Sequence, residues 1–215
     1  MISRLHYLTQ DLEQISHVDL IEEACGLTKI DWIQLRVKSK EESEVLAIAK
    51  AAREICTLWN VKLILNDYVH IAKQINADGV HLGKSDMPIE KARAILGTEK
   101  IIGGTANTFE DIKKLYQAGV NYVGVGPYKF TTTKENLSNI LGLEGYQDIL
   151  KQCIEANISI PIIAIGGIQL YDVVPLLATG VHGIAIASAI NLSDDRAETA
   201  EQFLKEIEEG ILKRN

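Results

Sequence analysis

The chain has little cysteine, no long apolar run and no surplus of positive charge, and each shortage removes a class of function. Three of its 215 residues are cysteine, Cys25, Cys56 and Cys153. They are odd in number, far apart and outside any CxxC pair or histidine cluster, so neither a disulfide framework nor a zinc site is expected. That usage fits a reducing cytoplasm, where the protein is expected to work. The net charge of −7 argues against a nucleic-acid partner, which would call for a basic face. It still allows a small anionic substrate, because a local cluster of Lys and Arg can sit inside an acidic protein. No apolar run approaches the ~20 residues that span a bilayer, so no membrane partner is expected. The opening MISRLHYLTQ has neither a long apolar core nor a cleavage-site pattern, and no signal peptide is expected from it. No Ser/Pro-rich linker, low-complexity tract or repeat divides the chain, and residues 1–215 read as a single domain.

What is present is an alternation. Hydrophobic residues make up 47% and charged residues 24% of the chain, the profile of a globular protein. Short β-branched or apolar runs recur at Arg4–Thr9, Ile30–Val37, Val61–Asn66, Gly79–Leu82, Ile101–Gly104, Tyr122–Gly126, Ile160–Ile165 and Gly183–Ala187. Runs such as IPIIAI and HGIAIA are apolar throughout, as parallel strands covered on both faces should be. Amphipathic stretches separate them. Ser39–Trp59 opens with Glu41 and Glu42, suited to a helix N-terminus, and carries Val45, Ile48, Ala49, Ala52, Ile55 and Cys56 on one stripe. Pro88–Leu96, Thr108–Ala118, Tyr171–Thr179 and Asp194–Leu212 read likewise, with Gly97, Gly119 and Gly180 where helices should stop. Strict βαβα alternation implies a parallel α/β sheet, open or closed. Eight units in this length predict a (β/α)8 barrel of the TIM type.

In such barrels the active site lies at the C-terminal ends of the strands, and polar residues gather there. The second strand ends Gln34-Leu35-Arg36-Val37-Lys38, whose three polar side chains fall on one side at period two. The third ends in Asn66-Asp67, and the fourth is followed by Gly83-Lys84-Ser85-Asp86. The fifth runs into Gly104-Thr105-Ala106-Asn107, the sixth into GPYKFTTTK, the seventh into Gly166-Gly167 and the eighth into Ala187-Ser188. Turn chemistry accounts for any one of these alone. Seven together, with two cations at one strand end, call for anionic partners.

Three groupings carry chemistry. Arg36, Lys38 and Lys134, with Asn66, suit a diphosphate held by charge-assisted hydrogen bonds. Asp67 and Asp86 offer hard oxygen ligands at neighbouring strand ends, the donor set of Mg²⁺ completed by substrate phosphates. Gly167, Ala187 and Ser188 fall where these barrels bind phosphate through backbone N–H groups. Two phosphate sites, one with a metal, suggest two phosphorylated substrates and a diphosphate leaving group.

The blocks QLRVK, LILND, ADGVHLGKSDMP, YVGVGP with TTTK, and IPIIAIGGI are similar to those of thiamine phosphate synthases. The resemblance runs from Leu5-His6-Tyr7-Leu8-Thr9 to Ser188-Ala189-Ile190. It implies a transferase that joins a pyrimidine diphosphate to a thiazole phosphate by a dissociative substitution assisted by Mg²⁺. It further implies that Arg36, Lys38, Asn66 and Lys134 contact the diphosphate and that Asp67 and Asp86 hold the metal. Gln34 and Thr105 would face the pyrimidine, while Thr131, Thr133, Gly167 and the Ala187-Ser188 backbone would hold the thiazole phosphate. Of these, Arg36, Lys38, Lys134 and Thr105 are the expected catalytic set. The polar stretch Lys129–Asn139 reads either as a solvated loop or as a lid that delivers Lys134.

Two positions depart from the family pattern. Thr105 stands where Ser is common, and Asn107 where many relatives carry His. A related thiazole tautomerase uses that His as its acid–base group, a role closed to Asn at neutral pH. A tautomerase is therefore the alternative enzyme, and a non-catalytic binder of thiamine precursors the alternative from another class. His81 reads as a residue that orients a neighbour, and Trp32 and Trp59 as core or helix packing.

Overall fold

The computed structural model describes residues 1–130 and 139–214. Eight parallel strands close into a barrel: β1 (Leu5–Leu8), β2 (Trp32–Leu35), β3 (Lys62–Asn66), β4 (Gly79–Leu82), β5 (Ile101–Ala106), β6 (Tyr122–Val125), β7 (Ile162–Ile165) and β8 (Gly183–Ile186). Each pairs with the next in the chain, and β8 returns to β1 through Leu5 opposite Ile184. Helices α1 (His17–Leu27), α2 (Glu42–Leu58), α3 (Val69–Gln74), α4 (Ile89–Leu96), α5 (Phe109–Gln117), α6 (Gly142–Glu155), α7 (Val173–Thr179), α8 (Ser188–Asn191) and α9 (Arg196–Arg214) surround it. The expected (β/α)8 barrel is the fold. Among the described residues, no helix is long and apolar enough to cross a membrane.

The strands are apolar on both faces for two separate reasons. Outward positions such as Leu5, Ile33, Leu63, Leu65, Val80, Ile102, Val123, Ala164 and Ile184 join one core shared with the helices. Inward positions build a second, smaller cluster from Leu8, Trp32, Ile64, Tyr122, Ile163 and Ala185. His6 stacks on Trp32 with ring centroids 4.3 Å apart, and Tyr122 meets both rings edge-on. These three rings fill the barrel interior as side-chain layers do in this fold. Burial, then the neighbouring His81, pulls His6 well below the usual imidazole range, so it is neutral.

Most element ends fall one to three residues inside the expected ranges. Two run past them: α9 reaches Arg214, and β5 runs on to Ala106 and so takes Thr105 into the barrel wall. Helices α1 and α3 were not anticipated. The signal for α1 was present, because Ser16 caps it and Asp19 returns the bond in a capping box. Helix α3, at six residues, is too short to show a period. The stretch expected as one helix from Tyr171 begins as a 3₁₀ turn at Leu170–Asp172 before α7. Trp59, at the C-terminal cap of α2, is 49% exposed and lays its ring edge near Gly26 of α1, a helix-packing place, whereas Trp32 is buried inside the barrel.

Gly79 opens β4 opposite Ile101, and a Cβ there would lie 2.1 Å from the Ile101 carbonyl oxygen. A backbone atom cannot swing aside as a side chain can. Gly79→Ala should therefore destabilise the barrel by about 1–3 kcal/mol, the usual cost of overpacking. Urea unfolding measures it, and an unchanged midpoint would contradict the close approach of β4 and β5.

Candidate active site

At the C-terminal end of the barrel the inward side chains change from apolar to polar. Four of them, on consecutive strands, form a row of two hydrogen-bonded pairs above Trp32 and Tyr122. Gln34 Nε2 on β2 donates to Asn66 Oδ1 on β3 at 3.0 Å. Asn66 sits beside His81 of β4 in the strand register. His81 Nε2 meets Thr105 Oγ1 of β5 at 2.9 Å, and its Nδ1 meets the Tyr122 hydroxyl at 3.0 Å. Gln34, Asn66 and His81 are buried and Thr105 is half-buried, so the row forms a floor with Thr105 at its open edge.

Charge lies beside the floor. Asp67 follows β3 in the left-handed region at φ 71°, a conformation that Asp tolerates better than most residues. Its carboxylate pairs with the Lys38 ammonium and lies close enough to the Asp86 carboxyl for each to shift the other. Burial first, and Asp86 second, push Asp67 up to about 6. Burial pushes Asp86 up as well, but its bonds to the Asp67 carboxyl and the Gly83 N–H outweigh that and hold it below the usual range. The Gly83 bond is 2.6 Å. Burial pulls Arg36 below its ordinary value, against the opposing pull of Asp67 and Asp11. Lys84, at the β4 end, turns away to Asp111 at 2.7 Å.

A network that the sequence did not point to holds this corner. Thr9 Oγ1 accepts the Arg36 N–H at 3.1 Å, and Asp11 Oδ2 accepts the Lys38 N–H at 3.0 Å. His17 joins the two, with Nδ1 at 2.8 Å from Thr9 Oγ1 and Nε2 at 3.0 Å from Asp11 Oδ1. The backbone that carries both cations is thus pinned to the β1 loop. Thr9, Asp11 and His17 look like turn and cap residues in the sequence, and their contacts to positions 27 residues away in the chain leave no local mark.

The later strand ends are tied to one another. Tyr128 and Lys129 donate backbone N–H groups to Ile165 and Gly166 at 2.9 Å each. A Cβ on Gly167, at φ 67°, would meet the Phe130 carbonyl oxygen at 2.6 Å. Close packing of residues 127–130 is therefore reason enough for glycine there, whatever else the pair does. Ala187 packs against the interior cluster and leads directly into α8 at Ser188. Lys129, at the start of the expected lid, instead pairs with Asp172 at 2.7 Å. Asn107 donates its side-chain amide to the Gly126 carbonyl, bridging the ends of β5 and β6. Thr131, Thr133 and Lys134, and with them the lid reading, lie outside the described residues. Among the described residues, no group of three or more His, Cys, Asp or Glu side chains could cage a metal.

A sequence profile of the thiamine monophosphate synthase family matches residues 6–190. The chain belongs to this family. It is 45% identical to a thiamine-phosphate synthase of Flavobacterium johnsoniae over 99% of this chain and 100% of that one. It is 47% identical to a thiamine-phosphate synthase of Bacteroides fragilis, covering 93% of this chain and 98% of the relative. The solved structure of a thiamine phosphate pyrophosphorylase from Pyrococcus furiosus superposes with a TM-score of 0.84 at 31% identity, over 97% of this chain and 96% of that one. As a member of the thiamine monophosphate synthase family the chain is a transferase of thiamine biosynthesis, the class that its relatives' names give.

The closeness of the two carboxyls has a measurable consequence. With Asp86→Asn the like charge disappears, and the Asp67 pKa should fall from about 6 toward the ordinary carboxylate range. Carboxyl-carbon NMR titration follows this directly, and a pKa that stays at its starting value would mean that the two carboxyls do not communicate.

Proposed function

We propose that this chain joins 4-amino-2-methyl-5-hydroxymethylpyrimidine diphosphate to a thiazole phosphate, forming thiamine phosphate and releasing diphosphate. The observation that carries the reading is the Asp67–Asp86 pair, beside Lys38 and Arg36 and at the edge of a polar floor. Two adjacent carboxyls in a partly desolvated corner, one of them pushed up to about 6, are relieved of their mutual repulsion by a divalent cation. Two carboxylates suit Mg²⁺ that takes its remaining oxygens from phosphate and water. Asp67 and Asp86 would hold it, and bound there it would neutralise charge on the diphosphate oxygens.

The chain's own residues then have separable tasks. Arg36, Lys38 and Asn66, with Lys134, bind the diphosphate and stabilise its charge as the bond to the pyrimidine methylene breaks. Gln34 and Thr105 orient the ring, and Thr131, Thr133, Gly167, Ala187 and Ser188 fix the thiazole phosphate. The carbon–oxygen electron pair leaves with diphosphate, and the ring's amino group stabilises the methylene cation. The thiazole nitrogen's lone pair then forms the new carbon–nitrogen bond. No proton has to move, which agrees with a floor that holds a buried His81 but no nucleophile–base pair. Asn107, spent on the Gly126 carbonyl, offers no acid–base group for the tautomerase alternative.

The direct test mixes both substrates with Mg²⁺ and oxidises any thiamine phosphate to its fluorescent product. Product is expected, and its absence where a known synthase works would overturn the reading. Asp67→Ala and Lys134→Ala should each slow coupling by roughly 10²–10³-fold, the scale of one lost charge-stabilising group, while circular dichroism shows both folded. An Asp67→Ala variant with full Mg²⁺-dependent activity would remove Asp67 from the metal site.

pH dependence follows with a definite sign. Asp67, at about 6, is ionised above that pH and protonated below it, and the proton must leave before a metal binds. The Mg²⁺ concentration for half-maximal rate should therefore be flat above about pH 7 and rise by about tenfold per unit below about pH 6, as one competing proton requires. Steady-state rates at several pH values settle it; a flat requirement down to about pH 5 would exclude Asp67 as a ligand.

A further inference from the structure

Below the polar floor sits a buried phenol with no part in the mechanism described so far. Tyr122 opens β6 and is 1% exposed. Its ring packs edge-on against the stacked His6 and Trp32, with centroids at 4.9 and 5.6 Å. Glycine at 103 makes room for it, since a Cβ there would meet the Tyr122 ring and hydroxyl at 2.2–2.6 Å. Glycine at 124 does the same for His81, whose Cε1 would lie 3.0 Å from an added Cβ. The barrel wall is thus thinned at two points so that tyrosine and histidine can meet inside it.

We propose that Tyr122 is a positioning residue that sets the direction of the Thr105 hydroxyl through His81. Among the described residues, the Tyr122 hydroxyl has one hydrogen-bond partner, His81 Nδ1 at 3.0 Å. A buried O–H that fails to donate loses about 1–3 kcal/mol, so the phenol donates and Nδ1 accepts. Burial pushes the Tyr122 hydroxyl far above its ordinary value, so the proton stays on the oxygen. An imidazole that accepts at Nδ1 carries its proton on Nε2. Nε2 therefore donates to Thr105 Oγ1 across 2.9 Å, and the Thr105 hydroxyl hydrogen is left to point away from His81. Thr105 is the half-buried member of the floor, so that hydrogen is presented to an acceptor atom of the pyrimidine diphosphate. This step rests on the proposed placement of the pyrimidine against Thr105; the tautomer does not.

The test is Tyr122→Phe, which keeps the ring and its stacking and removes one oxygen. In protein with ¹⁵N-labelled histidine, wild-type His81 should show a protonated Nε2 and an unprotonated Nδ1, and the variant should gain the opposite tautomer. Coupling should fall about tenfold in kcat, the worth of one oriented hydrogen bond, with KM for the thiazole phosphate within about twofold. Thr105→Val should show a similar loss, and the double variant little more than either single one, because residues in one network are not additive. Thr105→Ser should keep most of the rate. A wild-type His81 protonated on Nδ1 overturns the proposal, even in a protein with no synthase activity or where Tyr122→Phe does not fold. Additive losses in the double variant, or a Tyr122→Phe enzyme with unchanged kcat and tautomer, overturn it equally.

Discussion

Everything at the site depends on how the barrel interior is filled. Eight short strands enclose a space that side chains must occupy, and here Trp32, Tyr122 and His6 occupy most of it. Their packing decides where polarity can begin. Within the stack, Trp32 Nε1 and His6 Nε2 have no hydrogen-bond partner among the described residues, a cost the packing has to offset. Above it the pairs Gln34–Asn66 and His81–Thr105 rest on packed rings. Hydrogen bonds backed in this way are electrostatically stronger and hold one geometry. The plug and the site are therefore one construction, joined where the Tyr122 hydroxyl meets His81.

The charged corner follows a different logic. Lys38 and Arg36 face carboxylates of the protein itself, so the corner is close to balanced without substrate. Balance of that kind is provisional, because Asp67 is pushed up to about 6 and gives up its proton near neutrality. In the proposed chemistry a metal would occupy the two carboxylates and the diphosphate would take over the two cations. The protein thus keeps its buried charges paired in both states, which unpaired burial would make costly.

The fold was legible because its signals repeat. Apolar runs on both faces of the strands, and glycines at the ends of α4, α5 and α7, mark eight similar units. The groupings at the strand ends were legible for the same reason: the structure brings Gln34, Asn66 and Thr105 to one layer, and Lys38, Asp67 and Asp86 to one corner. What stayed hidden acts across the barrel. Thr9, Asp11 and His17 resemble an ordinary loop and helix start, yet they pin Arg36 and Lys38. Tyr122 resembles a core strand residue, and only the β4–β5–β6 register brings it to His81. Gly166-Gly167 suggested phosphate, while the packing of residues 127–130 already demands glycine there. Local pattern reports local need, and partners on distant strands leave no period behind.

The rim carries more carboxylates than the chemistry requires, and their partners separate the two kinds. Asp11 accepts the Lys38 N–H and faces His17. Asp111 accepts the N–H groups of Asn107 and Thr108 and pairs with Lys84. Asp172 accepts the Gln169 N–H and holds Lys129 and the Tyr128 hydroxyl. Each clamps one loop to its neighbour. For Asp11 and Asp111, burial acts upward but is outweighed by these bonds, and both sit below the ordinary range. Asp67 differs in kind: its partners among the described residues are side chains, Lys38 and Asp86, and its shift is upward. A carboxylate whose oxygens hold backbone N–H groups cannot leave them without loosening a loop, whereas one paired only with mobile side chains can change partners. By that criterion Asp67 is, among the described rim carboxylates, the one that can change partners, and Asp86, held by the Gly83 N–H, anchors the pair.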